Sequence, residues 1–84
     1  MSEKELREIL THFSRRSIAR FCKEPRTFEE VINHMMEKAG WSYNLAYVFV
    51  AEHLGVLEKE KAVRPVEGKW VTTEAATEVL IKYF

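Results

Sequence analysis

The sequence predicts a small, mostly α-helical fold with one β-hairpin ahead of its last helix, in the order α-α-α-β-β-α, the first helix being either one bent element or two. Three observations lead there. Apolar residues recur at helical spacing between clear start and stop signals, with a Thr27/Glu30 capping box opening one segment and Gly40 closing it. A second helical segment lies between Ser42 and Gly55, and Val56 with Leu57 begins an extended run. Beyond it, Arg64-Pro65-Val66-Glu67-Gly68 reads as a loop between two β-type runs, followed by a Thr that opens a final amphipathic helix. With 84 residues the chain is expected to be a single domain, 1–84.

Taken in order, Ser2 and Glu5 form a capping box, and Leu6, Ile9, Leu10 and Phe13 repeat on one face, so a first helix covers about residues 3–12. Ser14 is the expected break. A further helical piece over 15–23 buries Ile18, Phe21 and Cys22 and sets Arg15, Arg16 and Arg20 on its polar side. Pro25 then ends it, because the residue before a proline is driven out of the α region. The helix that Thr27 opens carries Phe28, Val31, Ile32, Met35, Met36 and Ala39 on one face.

The Ser42 helix is expected to run to Leu54, with Gly55 as its permissive C-terminal residue. Tyr43, Tyr47, Val50, Ala51 and Leu54 share its inward face, while Ser42, Leu45, Ala46, Phe49, Glu52 and His53 lie near the opposite side. A helix apolar on both sides is normally covered on both sides. Residues 56–63 and 69–72 are the expected hairpin strands. Thr72 or Thr73 caps the last helix, in which Ala75, Ala76, Val79, Leu80, Tyr83 and Phe84 form an apolar stripe and Glu78 pairs with Lys82.

Composition narrows the function. The longest uninterrupted apolar run, Leu45 to Ala51, is far short of the ~20 residues that span a bilayer, and the charged N-terminal stretch has no apolar signal core, so a cytoplasmic protein is expected. The single cysteine, Cys22, allows no internal disulfide and reads as a small buried hydrophobe. All 13 acidic residues are Glu and Gln is absent, a hyperthermophile bias that points to an archaeal or thermophilic source. No Gly-rich phosphate loop, paired Asp or Ser/His/acid motif is present, so neither an enzyme nor a cofactor is expected. His12, His34 and His53 stand on separate helices without ligand spacing, which argues against a metal site.

Net charge is zero, but its sign alternates along the chain. Residues 1–26 carry +3, residues 27–58 carry −4, residues 59–69 carry +2 and residues 70–84 carry −1.

The segments RTFEEVINHM, GWSYNLAYVFVAEHLGVLEKE and GKWVTTEAATEVL, in this order, resemble the small winged-helix transcription regulators of bacteria and archaea over nearly the whole chain. The resemblance implies a helix-turn-helix over about 27–54, a wing over about 56–72 and a C-terminal helix over about 73–84. It also implies double-stranded DNA as partner and a homodimer joined through first and last helices. Ser42, Tyr43, Asn44 and Tyr47 would read base edges, and Lys59, Lys61, Arg64 and Lys69 would touch phosphates from the wing. The chain departs from this pattern in having no Arg or Lys in its 42–54 helix. DNA affinity is therefore expected to come mainly from the wing cations and from Arg15, Arg16 and Arg20.

The same departure supports an alternative, a winged helix used for protein contact as a dimeric adaptor or complex subunit. Trp41, Leu45, Tyr47 and Phe49 are residue types of interface cores, and the central segment has the wrong sign for a duplex. Tyr83 and Phe84 join this expected interface wherever the domain's own core does not hold them. For the wing cations, Lys59-Glu60-Lys61 beside Glu58 also fits an ordinary solvated surface.

Overall fold

The computed structural model describes residues 3–84, and its elements are α1 (Glu3–Leu10), α2 (Phe13–Phe21), α3 (Phe28–Ala39), α4 (Tyr43–Lys59), β1 (Val63–Val66), β2 (Lys69–Thr72) and α5 (Glu74–Tyr83). This mostly α order with one antiparallel hairpin is the expected one, with the first helix split, and it is compatible with a winged helix. The Ser2/Glu5 capping box lies outside the described residues.

The split falls at Thr11 and His12 rather than at Ser14. The His12 Nδ1 accepts from the Ser14 amide at 3.2 Å, so an imidazole takes the N-cap role of α2 that Ser or Asp usually fills. This break also turns Phe13 outward. Expected to continue the α1 stripe, it is instead the first residue of α2 and 56% exposed.

Helix α3 begins as its sequence dictates. The Thr27 hydroxyl accepts from the Glu30 amide at 3.1 Å, while the Glu30 carboxylate accepts from the Thr27 amide at 2.8 Å and is held below the usual carboxylate range by that bond. Gly40, at φ +72°, closes it in the left-handed region that glycine enters without a Cβ penalty.

The largest difference from expectation is where α4 stops. It passes through Gly55 and ends at Lys59, so Val56 and Leu57 are helical rather than extended. Stopping at Leu54 would have left Leu57 outside the core, whereas continuing buries it fully, worth about 1.5–3 kcal/mol against the roughly 1 kcal/mol cost of an interior helical glycine. The true end is a Schellman motif: the Ala62 amide donates to the Leu57 carbonyl at 2.7 Å and the Lys61 amide to the Glu58 carbonyl at 3.0 Å. Lys61, at φ +60°, occupies the left-handed position normally given to glycine.

The hairpin is correspondingly shorter and starts at Val63. Glu67 and Gly68, both at positive φ (52° and 77°), form its two-residue turn, and Val63 to Val66 pair with Thr72 to Lys69. Arg26 and Trp70 exchange backbone hydrogen bonds on the other side of β2, which leaves β1 at the edge, where Pro65 costs no ladder bond. Thr72 anchors the base, its amide donating to the Cys22 carbonyl and its hydroxyl to that of Ala19.

The core gathers side chains from all five helices, among them Leu10, Ile18, Ile32, Leu54 and Leu80, with Val63 from β1. Cys22 lies within it, and burial pushes its thiol up to about 12, which suits an inert hydrophobe. Thr73 caps α5. Lys82 pairs with Glu3 of α1 at 3.3 Å rather than with Glu78. No helix among the described residues is long and apolar enough to cross a membrane.

Candidate functional site

Helix α4 determines what the surface offers. Its buried residues are Ala46, Val50, His53, Leu54 and Leu57, a 3–4 spacing that aims one stripe at the core. The expected faces are therefore rotated: Ala46 and His53 point inward, while Tyr43, Tyr47 and Ala51 are exposed. The remaining surface is largely apolar, with Asn44 and Glu52 among the exposed polar residues within it. Tyr43, Leu45, Tyr47, Val48 and Phe49 are all exposed, Val48 most of all at 57%. No Lys or Arg stands between Ser42 and Glu58.

Individual contacts fix parts of this surface. The Ser42 hydroxyl accepts from the Leu45 amide at 3.4 Å, so it serves as the N-cap. The Tyr43 hydroxyl donates to Glu29 at 2.8 Å, which raises its pKa, and Tyr47 stands edge-on to Phe28 with ring centroids 5.1 Å apart. Asn44 is exposed. On the other flank Phe49 packs edge-on to half-buried Trp41 at 5.1 Å, and Trp41 in turn lies over the His53 ring at 6.5 Å.

Of the cations expected to bind DNA, those of α2 are tied into the fold. Arg15 Nε donates to His53 Nδ1 at 3.4 Å. Arg16 Nη1 donates to the Leu10 and Thr11 carbonyls at 3.2 and 3.0 Å, satisfying the C-terminal end of α1, and its guanidinium sits 4.9 Å from the Phe84 ring centroid. Arg20 Nη2 donates to the Phe84 carbonyl at 2.8 Å. The set expected on the wing is divided: Lys59 is the last residue of α4 and Lys61 lies in the turn that closes it, because α4 runs past Gly55, so only Arg64 and Lys69 stand on the hairpin. All four are exposed, and among the described residues no salt bridge engages them. Tyr83 and Phe84 rest against cations of their own chain, Tyr83 under Arg7 and donating to Glu3 at 2.9 Å, yet both keep an exposed edge.

The histidines divide into two environments. His12 and His53 approach to 4.8 Å between ring centroids, and burial, then His12 and Arg15, lower the His53 pKa. His34 bonds the Ser17 hydroxyl at 3.0 Å and stacks on Phe21 at 4.1 Å; burial, then Lys38, lower its pKa. Among the described residues no three His, Cys or Glu side chains are placed to share a metal ion.

Two features escape sequence reading. Val48, three residues from Leu45, was legible only once the inward stripe was placed. Phe13, His34 and Lys38 meet Arg16 and Arg20 in one open groove between α2 and α3, a juxtaposition that depends on the packing of separate helices. No protein-family model, curated protein or solved structure matches the chain.

Proposed function

We propose that this protein is a non-catalytic, winged-helix-type interaction module that associates with a second copy of itself through the outward face of α4. The observation that carries this reading is the set of exposed apolar side chains on α4 with no cation among them. Val48 and Gly55, two turns apart, lie on one line of the helix with Ala51 between them. In an antiparallel pair about a twofold axis near Ala51 and Glu52, Val48 of each copy packs over Gly55 of the other, an isologous contact of large against small. Gly55 supports this arrangement. It is helical and exposed, an added Cβ there would meet nothing within 4 Å, and the fold itself therefore has no use for the residue. The test is molar mass in solution, for the natural chain and for Val48→Glu. A dimer that the substitution dissociates supports the reading, and a monomer at every concentration overturns it.

A second reading, DNA binding, is favoured by the cations of the wing and of the α4 end beside it. Lys59, Lys61, Arg64 and Lys69 are exposed and free of salt bridges among the described residues, the state in which cations displace counterions from phosphate. On this reading Arg64 and Lys69 of the wing, with Lys59 and Lys61 at the end of α4, supply the affinity, and Ser42, Tyr43 and Asn44 contribute fit. Titration of a labelled duplex at several salt concentrations tests it; absence of binding at low salt, or binding insensitive to salt, rejects it.

A further inference from the structure

The groove between α2 and α3 has a composition that neither reading uses. Its volume is about 420 Å³, within the range of small-ligand sites. Arg16, Arg20 and Lys38 line it, and no carboxylate does. Arg16 is anchored by the neutral Leu10 and Thr11 carbonyls, which leave its charge uncompensated, and Arg20 by the Phe84 backbone oxygen, so the orientation of both guanidiniums is fixed in advance. Arg16 spends Nη1 on those bonds and retains Nε and Nη2; Arg20 spends one Nη2 hydrogen. Such anchored guanidiniums, with N–H groups to spare, suit a phosphate or carboxylate fork.

The walls add an apolar requirement. Phe21 is engaged on its ring by His34, stacked at 4.1 Å, and by Arg26, 4.2 Å from its centroid, so only its edge faces a ligand. Phe13 is more than half exposed and makes no ring or cation contact among the described residues, which leaves its face available for stacking. The Ser17 hydroxyl and His34 supply a polar pair at the same site.

We propose that this groove binds a small phosphate monoester carrying a planar ring, a nucleoside monophosphate in size and charge. The dianion lies against Arg16, Arg20 and Lys38, and the ring stacks on Phe13. Three cationic side chains with no Glu among the lining match a doubly charged group better than a single carboxylate, and the exposed Phe13 selects against bare phosphate.

The test titrates the intact chain with adenosine monophosphate, phenyl phosphate, adenosine and inorganic phosphate, reading the His34 imidazole resonances and calorimetric affinity. Both ring-bearing phosphates are expected to shift His34 with Kd of about 1 mM or tighter, and adenosine and inorganic phosphate to bind at least roughly tenfold more weakly. Phe13→Ala and Lys38→Gln, both at exposed positions, should each weaken phenyl phosphate about tenfold, while Lys4→Gln on α1 leaves it unchanged. The proposal is overturned if His34 does not respond up to about 10 mM ligand, or if inorganic phosphate binds as tightly as phenyl phosphate. It is equally overturned if short duplex DNA displaces the bound monophosphate, which would assign the groove to a nucleic-acid backbone.

Discussion

Helices α2 and α4 pack against one another in the core, yet the surfaces beside them are chemically opposite. Outside α4 lie Leu45, Val48 and Phe49 with no cation; beside α2 lie Arg16 and Arg20, joined by Lys38 of α3 around the exposed Phe13. Neither set is needed to complete the core, whose apolar members come from the inward stripes of the same helices. The difference teaches where to look for function in a small helical domain. Residues that fold the chain and residues left to act on partners alternate within each helix, and only the angular position of the inward stripe separates them.

The largest expected effect tests that separation on α4 itself. Leu57→Ala should destabilise the protein by about 2–5 kcal/mol, because it empties a fully buried site, whereas Val48→Ala should change monomer stability by no more than about 0.5 kcal/mol. Urea unfolding of both variants, with the mass of each species monitored, checks the pair. Equal losses would mean that the outward face is part of the fold.

Smaller effects sharpen the same contrast. Gly55→Ala should stabilise an isolated chain by about 0.5–1 kcal/mol through helix propensity while weakening self-association, since the added methyl occupies the space left for a second helix. Stabilisation without any loss of association would remove Gly55 from the interface. Lys61→Gly, at the left-handed end of α4, should stabilise by about 0.5–1 kcal/mol with association unchanged, and thermal unfolding reads it.

The two histidine sites give a pH dependence of defined sign. His34 and His53 both have folded-state pKa values below 6.5, so the unfolded chain takes up more protons as pH falls through that value. Stability should therefore be complete above it and decline as pH falls below about 6.5, seen as a falling Tm. For Glu30, also lowered from its usual value, the stabilising contribution disappears only at more acidic pH. His53→Gln should flatten the upper part of the profile, and an unchanged slope would exclude His53 as its source.

Much of the fold was legible because its signals are local. Thr27 with Glu30, Gly40, Ser42 and Thr73 each act within one turn of helix, and each appears at the helix end where the sequence placed it. The extent of α4 was not legible, because Gly55 is a local stop signal overruled by the burial of Leu57, a tertiary gain. The orientation of α4 failed for a related reason: a helix apolar all round has no sequence-encoded inward side, and packing placed Ala46 and His53 inside. Lys82 likewise chose Glu3 of a distant helix over Glu78 on its own. Of the surfaces, Arg64 and Lys69 on the wing and exposed Leu45 with Phe49 could be read directly, whereas Lys59 and Lys61 moved to the end of the longer α4, and the Phe13 groove exists only because α1 and α2 separate at His12 and α3 then brings Lys38 alongside.

The central claim is that the outward face of α4 joins two copies of the chain. Sedimentation equilibrium at about 100 μM, a concentration that populates a micromolar dimer, tests it most directly on the natural protein beside Val48→Glu and a wing control, Arg64→Gln. The account predicts a dimer for the natural chain and for the wing variant, and a folded monomer for Val48→Glu. A natural chain that sediments as a monomer, or a Val48→Glu chain that remains a dimer, would contradict it.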